Sequence, residues 1–535
     1  MQFFLDVLSF LAGNFHIRSA AFYVFLLPVL LVYFTLAKKF AFQWVVLLGV
    51  SLLFYFLNGG VSSLWIFVPV AVTYVSLCAL GALGRRGAKR GVSALSAFVV
   101  VFNVVFLVAF KELSFFTGIF DFFAHRAGMG GIGEVHLPSP LGLSYISLML
   151  ISSFLDCAWG ISTFPKNPLR FLAWVIFFPI TTSGPIARYS QMESNLFAVH
   201  SFDFPSFLFG AQRILWGFMK KLVIADRLAV LVAVSYDTPG LTGLPVLFGL
   251  FLFAFQLYFD FSAYMDIVAG LGECVGIPLP ENFMQPFFSE SLSEIWRRWH
   301  ATLGNWARDY ILFPFLKSGR VQAFSARLKS RWGKKNFWAR NVPTWCGMFI
   351  VWFSMGFWHG GSWNYICGSG LFFFALITLG QIFDHVLGGL SFACGVRDAL
   401  GKYQWLSRVR TTLLFAASIS FDRAPSLLAG FSLWARAFSP SGASFFRAFG
   451  GSSFCAGDFW VAAFFMLLVF FVERFEVLSG GPIDSRQRSS AFRAALSRRN
   501  IAVRMAFFLA LFVGVAVFGM YGPDFDAGGF IYGGF

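Results

Sequence analysis

Apolar runs of about twenty residues, the length a helix needs to cross a bilayer, recur along almost the whole chain and are separated by short basic loops. They predict spans at residues 20–37, 41–58, 61–84, 91–111, 141–165, 168–185, 205–235, 243–273, 343–364, 366–388, 404–421, 457–475 and 501–521. The first dozen residues are apolar but too short to span and read as interfacial. Helix-breaking signals fall inside this pattern. Pro140 precedes Gly142 and Ser144, Ser183-Gly184-Pro185 interrupts another run, and Gly217 sits in a third. Breaks of this kind are tolerated in a membrane only where protein or water satisfies the freed backbone, so some spans are expected to be re-entrant or broken, leaving about 11 to 13 membrane helices.

The stretch 291–342 carries many Arg and Lys and no credible span, which predicts an insert lying on the bilayer and facing the cytoplasm. Read as one helix, Ser291 to Leu312 gathers Leu292, Trp296, Trp299, Leu303, Trp306 and Tyr310 into an apolar stripe. Glu294, Arg297, Arg298, Asn305, Arg308 and Asp309 fall opposite, with His300 at the border between the faces. Such a helix can simply anchor at the interface. It can also wall a cavity whose arginines meet a phosphate-bearing donor.

Basic clusters set the expected orientation. Lys38-Lys39, Arg85 to Arg90, Lys166 with Arg170, Arg297 to Lys335, Arg408 with Arg410, and Arg486 to Arg499 are expected on the cytoplasmic side. That places both termini outside, together with 112–138 and 425–456. No repeat or low-complexity stretch divides the chain, so one domain is expected over 1–535, with 291–342 as its insert and 400–535 as C-terminal helices.

Composition sharpens this picture. The 535 residues are 58% hydrophobic and only 12% charged, more apolar surface than a soluble core absorbs, so the fold class is an all-α polytopic membrane protein. The net charge of +16 sits in the loops, where membrane orientation explains it, and nucleic-acid binding is excluded as a reading. Seven scattered cysteines without a Cys-x-x-Cys read as small core hydrophobes rather than a disulfide frame or metal site, and no metal is expected. Walker A, His-Glu-x-x-His and Gly-x-Ser-x-Gly patterns are absent from the sequence, which removes most ATP-driven, metallohydrolase and serine-hydrolase classes.

Candidate chemistry lies in ionisable groups at membrane depth. His359 sits in Val351-Trp-Phe-Ser-Met-Gly-Phe-Trp-His-Gly-Gly-Ser-Trp363, a run apolar enough to span. An imidazole there is either a bonded structural histidine or a proton-exchanging group kept for a reaction. Gln256, Asp260 and Tyr264 share one helical face and Asp266 points elsewhere. The carboxylates must be paired, protonated or solvated, and Lys220, Lys221, Asp226 and Arg227 offer partners.

Several segments, in order, carry a resemblance. They are Pro140-Leu-Gly-Leu-Ser-Tyr145, Phe178 to Tyr189, Lys220 to Asp226, Phe255 to Tyr264, Pro280-Glu-Asn-Phe283, Trp296-Arg-Arg-Trp-His300, Arg308-Asp-Tyr310 and Trp358-His-Gly360. The chain resembles the membrane-bound O-acyltransferase family, and within it the bacterial branch that acetylates exopolysaccharides such as alginate. The closing Phe530-Ile-Tyr532 looks like that branch, with Gly533-Gly534 interrupting the aromatic ending, and Met355-Gly-Phe-Trp stands where Ser-Gly-x-Trp is more usual. The resemblance implies helices ringed around a central funnel, with re-entrant and interfacial pieces. It also implies that His359 is the principal catalytic histidine and His300 the second. Trp296, Arg297, Arg298, Trp299, Arg308, Asp309, Trp358, Gln256, Asp260, Tyr264 and Ser183 become candidates for the tunnel and donor site.

It further implies a cytoplasmic thioester donor, acetyl-CoA, and a bacterial inner-membrane location. The expected partners are a periplasmic SGNH-hydrolase-like acyltransferase and polysaccharide secretion machinery. Two alternatives stay open. One is D-alanyl transfer from a carrier protein to teichoic acid, and the other is a transporter that does no chemistry, for which intramembrane Asp260 and Asp266 would suit ion coupling.

Overall fold

A computed structural model describes residues 15–387, 401–440, 442, 444–450, 455–479, 490–521, 530 and 531. The expected interfacial segment at the start, Cys394, Arg486 and the tail from Tyr532 lie outside these residues. Every regular element described is helical. Among the described residues six helical runs are long and apolar enough to cross a membrane: Ala20–Ala37, Gln43–Arg85, Lys89–Lys111, Leu244–Cys274, Asn364–Leu387 and Ile501–Phe518. The protein is therefore an all-α polytopic membrane protein. Ile501–Phe518 illustrates the lipid-facing kind, with Leu509, Phe512 and Val517 all exposed, as a helix in hydrocarbon permits.

Of the other expected spans, 343–364 and 457–475 fall on the continuous 23-residue helices Phe337–His359 and Ala456–Leu478, and several more are shorter or interrupted. Residues 41–58 and 61–84 form one helical run, joined through the 3₁₀ turn Gly60–Ile66. Residues 205–235 form a continuous helical path, Phe204–Phe218 and Asp226–Asp237 linked by the π-helical Met219–Ala225. The run 168–185 does not span: Pro168–Val175 is helical and the chain then turns through 177–183. The cysteines also depart from expectation, since Cys274 is buried whereas Cys78, Cys346 and Cys455 are exposed.

The chain packs as two compact units, one from Met1–Ile214 with Val268–Pro280, the other from Leu215–Ile267 with Glu281–Gly534. In the first, the two predicted backbone breaks meet. Gly142, with φ +69°, caps Leu143–Ala158, and a Cβ on it would lie 1.8 Å from the Thr181 carbonyl oxygen, so only glycine fits. The freed backbone groups are paired nearby: Ser51 Oγ accepts from Phe178 N (3.1 Å), Leu141 O accepts from the Tyr55 hydroxyl (2.8 Å), and Ala187 O accepts from Trp174 Nε1 (3.2 Å). This is how irregular backbone survives in apolar surroundings.

The second unit holds a buried charge cluster. Lys221 Nζ lies 2.6 Å from Asp260 Oδ1 and 2.9 Å from Asp226 Oδ1, and Lys220 Nζ lies 2.9 Å from Asp266 Oδ2. The charges foreseen as needing partners therefore find them in one another. The remaining Asp260 oxygen accepts from Ile531 N (2.7 Å), and the Phe530 ring sits between Tyr264, 4.9 Å away, and the Lys221 ammonium, 5.0 Å away. This seats the described end of the chain on the cluster.

Candidate active site

His359 ends the helix Phe337–His359. Asn336 starts that helix, its side chain accepting from Ala339 N at 3.1 Å, and an unbroken apolar run carries it to the histidine. The helix stops because Gly360 is extended, with φ −178°. The chain then doubles back as the π-helical Asn364–Leu371. Small residues set how closely the two elements approach. A Cβ on Gly356 would lie 2.6 Å from Tyr365 O, and one on Gly370 would lie 2.7 Å from Trp352 O. Drawn together in this way, His359 is half-buried, with Trp358 at 5.0 Å and the Tyr365 ring stacked at 6.5 Å between centroids.

His300 arrives differently from the expected continuous helix. The stretch breaks: Leu292–Arg298 is helical, Trp299 is extended, and His300 takes the left-handed conformation (φ 45°, ψ 48°) before Ala301–Ala307 resumes. His300 is consequently 2% exposed rather than wetted at a helix border. The cause is tertiary. Asn282 reaches into the break, and its Oδ1 accepts from Thr302 N (3.1 Å), Thr302 Oγ1 (2.9 Å) and His300 Nδ1 (3.2 Å), while Asn282 O accepts from Ala301 N (2.9 Å). A backbone N–H can only donate, so the atom facing it is the amide oxygen, and His300 Nδ1 must carry the proton. That leaves Nε2 as the basic nitrogen. Burial, and then the neighbouring His359, holds the His300 imidazole well below its ordinary value, so it is neutral.

The two imidazole rings stand 6.5 Å apart and line one cavity of about 300 Å³ within the second unit. Trp296, Trp299, Trp352, Met355 and Phe373 supply apolar walls, and Ser369 and Asp422 supply polar ones. The lining residues Ser293, Arg297, Gly304 and Arg308 are exposed, so the cavity reaches the surface beside two guanidinium groups. An apolar slot with a cationic mouth and two imidazoles can take an elongated molecule with an anionic head and move a proton at its far end.

The other candidates divide. Trp358 is buried beside both rings, 6.3 Å from His300, and does not line the cavity. Arg298 turns to Glu294 (2.7 Å) and to Met284 O (3.3 Å), and Asp309 accepts from Arg308 Nε at 2.9 Å. Gln256, Asp260 and Tyr264 are buried on the helix Leu244–Cys274, where Asp260 and Tyr264 serve the charge cluster. Ser183 is buried in the turn of the first unit. Sequence reasoning missed Asp422 and the part played by Asn282. The first stands just past an apolar run beside Arg423, and the second within Pro280-Glu-Asn-Phe283, so each carried a weak signal.

The profile of the MBOAT, membrane-bound O-acyltransferase, family matches residues 51–328, just over half of the chain. The chain belongs to the membrane-bound O-acyltransferase family. The match includes His300 and ends before His359. Relatives are similar over comparable stretches. The probable alginate O-acetylase AlgI of Pseudomonas aeruginosa is 31% identical over 288 residues, 54% of this chain and 51% of that protein. The teichoic acid D-alanyltransferase of Bacillus subtilis is 28% identical over 54% of this chain and 67% of its own length. The peptidoglycan O-acetyltransferase of Helicobacter pylori is 27% identical over 50% and 51%. The chain thus spans about half the length of the alginate O-acetylases it matches. As a membrane-bound O-acyltransferase, it presents its two histidines at a single cavity.

Proposed function

We propose that the protein is a membrane O-acyltransferase that moves an acetyl group from cytoplasmic acetyl-CoA to a hydroxyl acceptor on the outer side, for O-acetylation of an exopolysaccharide such as alginate. The observation that carries this is the pair of imidazoles on one wall of a cavity whose mouth bears Arg297 and Arg308. The guanidinium groups suit the phosphates of the coenzyme, and the Trp-lined slot suits its pantetheine arm.

In the reaction His359 accepts the proton of the attacking hydroxyl while the new C–O bond forms. The C–S bond then breaks, and the imidazolium returns the proton to the departing thiolate, so the catalyst ends as it began. The positive charge develops at the C-terminal end of a 23-residue helix, where the helix dipole favours it. His300, with Nδ1 committed to Asn282, presents Nε2 and orients donor or acceptor. A periplasmic SGNH-hydrolase-like acyltransferase, together with the secretion machinery, passes the group on to the polymer.

D-alanyl transfer is the second reading, favoured by the match over 67% of the Bacillus subtilis relative's length. Incubating the purified chain with acetyl-CoA and, separately, with a D-alanylated carrier protein decides between them. Thiol release from acetyl-CoA supports acetyl transfer, and release from the carrier alone supports D-alanyl transfer.

A further inference from the structure

The second unit holds another cavity, of about 420 Å³, between the helix Gly319–Trp332 and the start of Phe337–His359, which pack against each other. One face of the first helix gives it Gln322, Ser325 and Lys329, at spacings of three and four, and the second helix gives it Arg340 and Thr344. It adjoins the histidine cavity without belonging to it. Leu316 and Thr344 line the one, while Leu312 and Met348, a helical turn away on the same stretches of chain, line the other.

Charge sets this cavity apart. From Tyr310 to Phe383 the chain has eight Lys and Arg and no Asp or Glu, so neither helix brings a carboxylate. Lys329 and Arg340 are exposed, and among the described residues neither forms an ion pair. Two cations drawn to one cavity from separate helices repel each other until an anion joins them. Both suit a phosphate ester, Arg340 as a planar fork and Lys329 as a point charge, with hydroxyl and amide groups beside them.

Position tells which phosphate ester. Arg340 stands three residues before Pro343, where the long apolar run toward His359 begins, so the cavity lies at headgroup depth. Phe324, Trp332 and Trp338, on the same two helices, are exposed as interfacial aromatics are. No residue of Gly319–Trp332 is buried, so protein contacts leave that helix uncovered. Leu316, Val321 and Pro343 give the cavity an apolar wall that suits a glycerol backbone and the first methylenes of an acyl chain. We propose that this cavity binds the headgroup of an anionic phospholipid of the cytoplasmic leaflet. Lys329 and Arg340 hold the phosphate, and Gln322, Ser325 and Thr344 bond a headgroup hydroxyl. The lipid thereby clamps the two helical stretches that also wall the histidine cavity. This binding holds whichever group the protein transfers.

The test mixes the purified full chain, in neutral detergent, with phosphatidylglycerol or phosphatidylcholine. Native mass spectrometry counts the bound lipid, and the unfolding midpoint is followed alongside. Phosphatidylglycerol is expected to stay bound and raise the midpoint, and phosphatidylcholine to do neither. Lys329→Ala and Arg340→Ala each weaken phosphatidylglycerol binding about fivefold, as loss of one cation beside an anionic headgroup implies. Without lipid their midpoints match the wild type's, because both side chains are exposed. The control is Arg327→Ala combined with Arg331→Ala. Each of these exposed arginines lies two residues from Lys329, on the other side of the helix, so the pair removes twice the charge of either single variant and leaves binding unchanged. An equal loss in the control, equal binding of the two lipids, or phosphatidylglycerol binding that survives both single substitutions overturns the proposal. So does binding of acetyl-CoA, or of an acidic carrier protein, that requires Lys329 and Arg340 when phosphatidylglycerol binding does not.

Discussion

His300 holds a left-handed conformation uncommon outside glycine, with φ 45° at the break between two helices. Strained residues persist where their surroundings over-determine them, and here Asn282 does so with three hydrogen bonds through one oxygen. The same oxygen fixes the proton on Nδ1. Asn282→Ala therefore frees both the ring's orientation and its tautomer. Steady-state kinetics of that variant are expected to show kcat lower by about 10- to 100-fold, against the roughly 10² to 10⁴ of losing a general base outright. An unchanged kcat would mean that the His300 tautomer plays no part in turnover. None of this was readable from periodicity. The 3.6-residue pattern of Leu292 to Tyr310 is continuous through His300, because residue spacing carries no record of a side chain arriving from residue 282.

At the scale of elements, the site depends on the hairpin of Phe337–His359 against Asn364–Leu371 and on its contact with the turn at Phe421. Gly370 marks the closest approach. Gly370→Val would press a branched side chain against Trp352 O, already 2.7 Å from the Cβ position, and is expected to cost about 1 to 3 kcal/mol as an overpacked core does. Thermal unfolding in detergent should show a lowered midpoint, with activity lost as His359 shifts; a midpoint like the wild type's would contradict the packing at this glycine. The backbone break at Gly142 was legible because glycine and proline interrupt a helical pattern by their own backbone chemistry, whereas the helix end at Val175, well ahead of the Ser183-Gly184-Pro185 signal, was not. Nor was Asp422, since its place on one cavity with His359 joins positions 63 apart in sequence through glycine contacts that only the fold reveals.

Across the whole molecule, composition alone required a membrane protein, and the need of buried charges for partners pointed to Lys220 and Lys221 with Asp260 and Asp266. What sequence left undecided was which pairs form, because both lysines and both aspartates sit on helices able to meet in either register. Lys221 is central to the answer, shared between Asp226 and Asp260. Lys221→Met leaves two buried carboxylates facing each other and is expected to destabilise by about 3 to 5 kcal/mol, the usual result of breaking a buried pair. Denaturation of the purified variant should show this, and a stability equal to the wild type would mean that the cluster does not hold the fold. Because neither Lys221 nor Asp260 lines the cavity, molecules that remain folded should keep their turnover.

Function rests on the cavity being a transfer site with His359 as its base. The direct measurement is thiol release and ester formation by purified His359→Ala with acetyl-CoA and a hydroxyl acceptor, at matched protein and with unfolding monitored alongside. The variant is expected to fold as the wild type does and to lose transfer by about 10² to 10⁴. A folded His359→Ala that still releases thiol and forms ester at the wild-type rate would contradict that role.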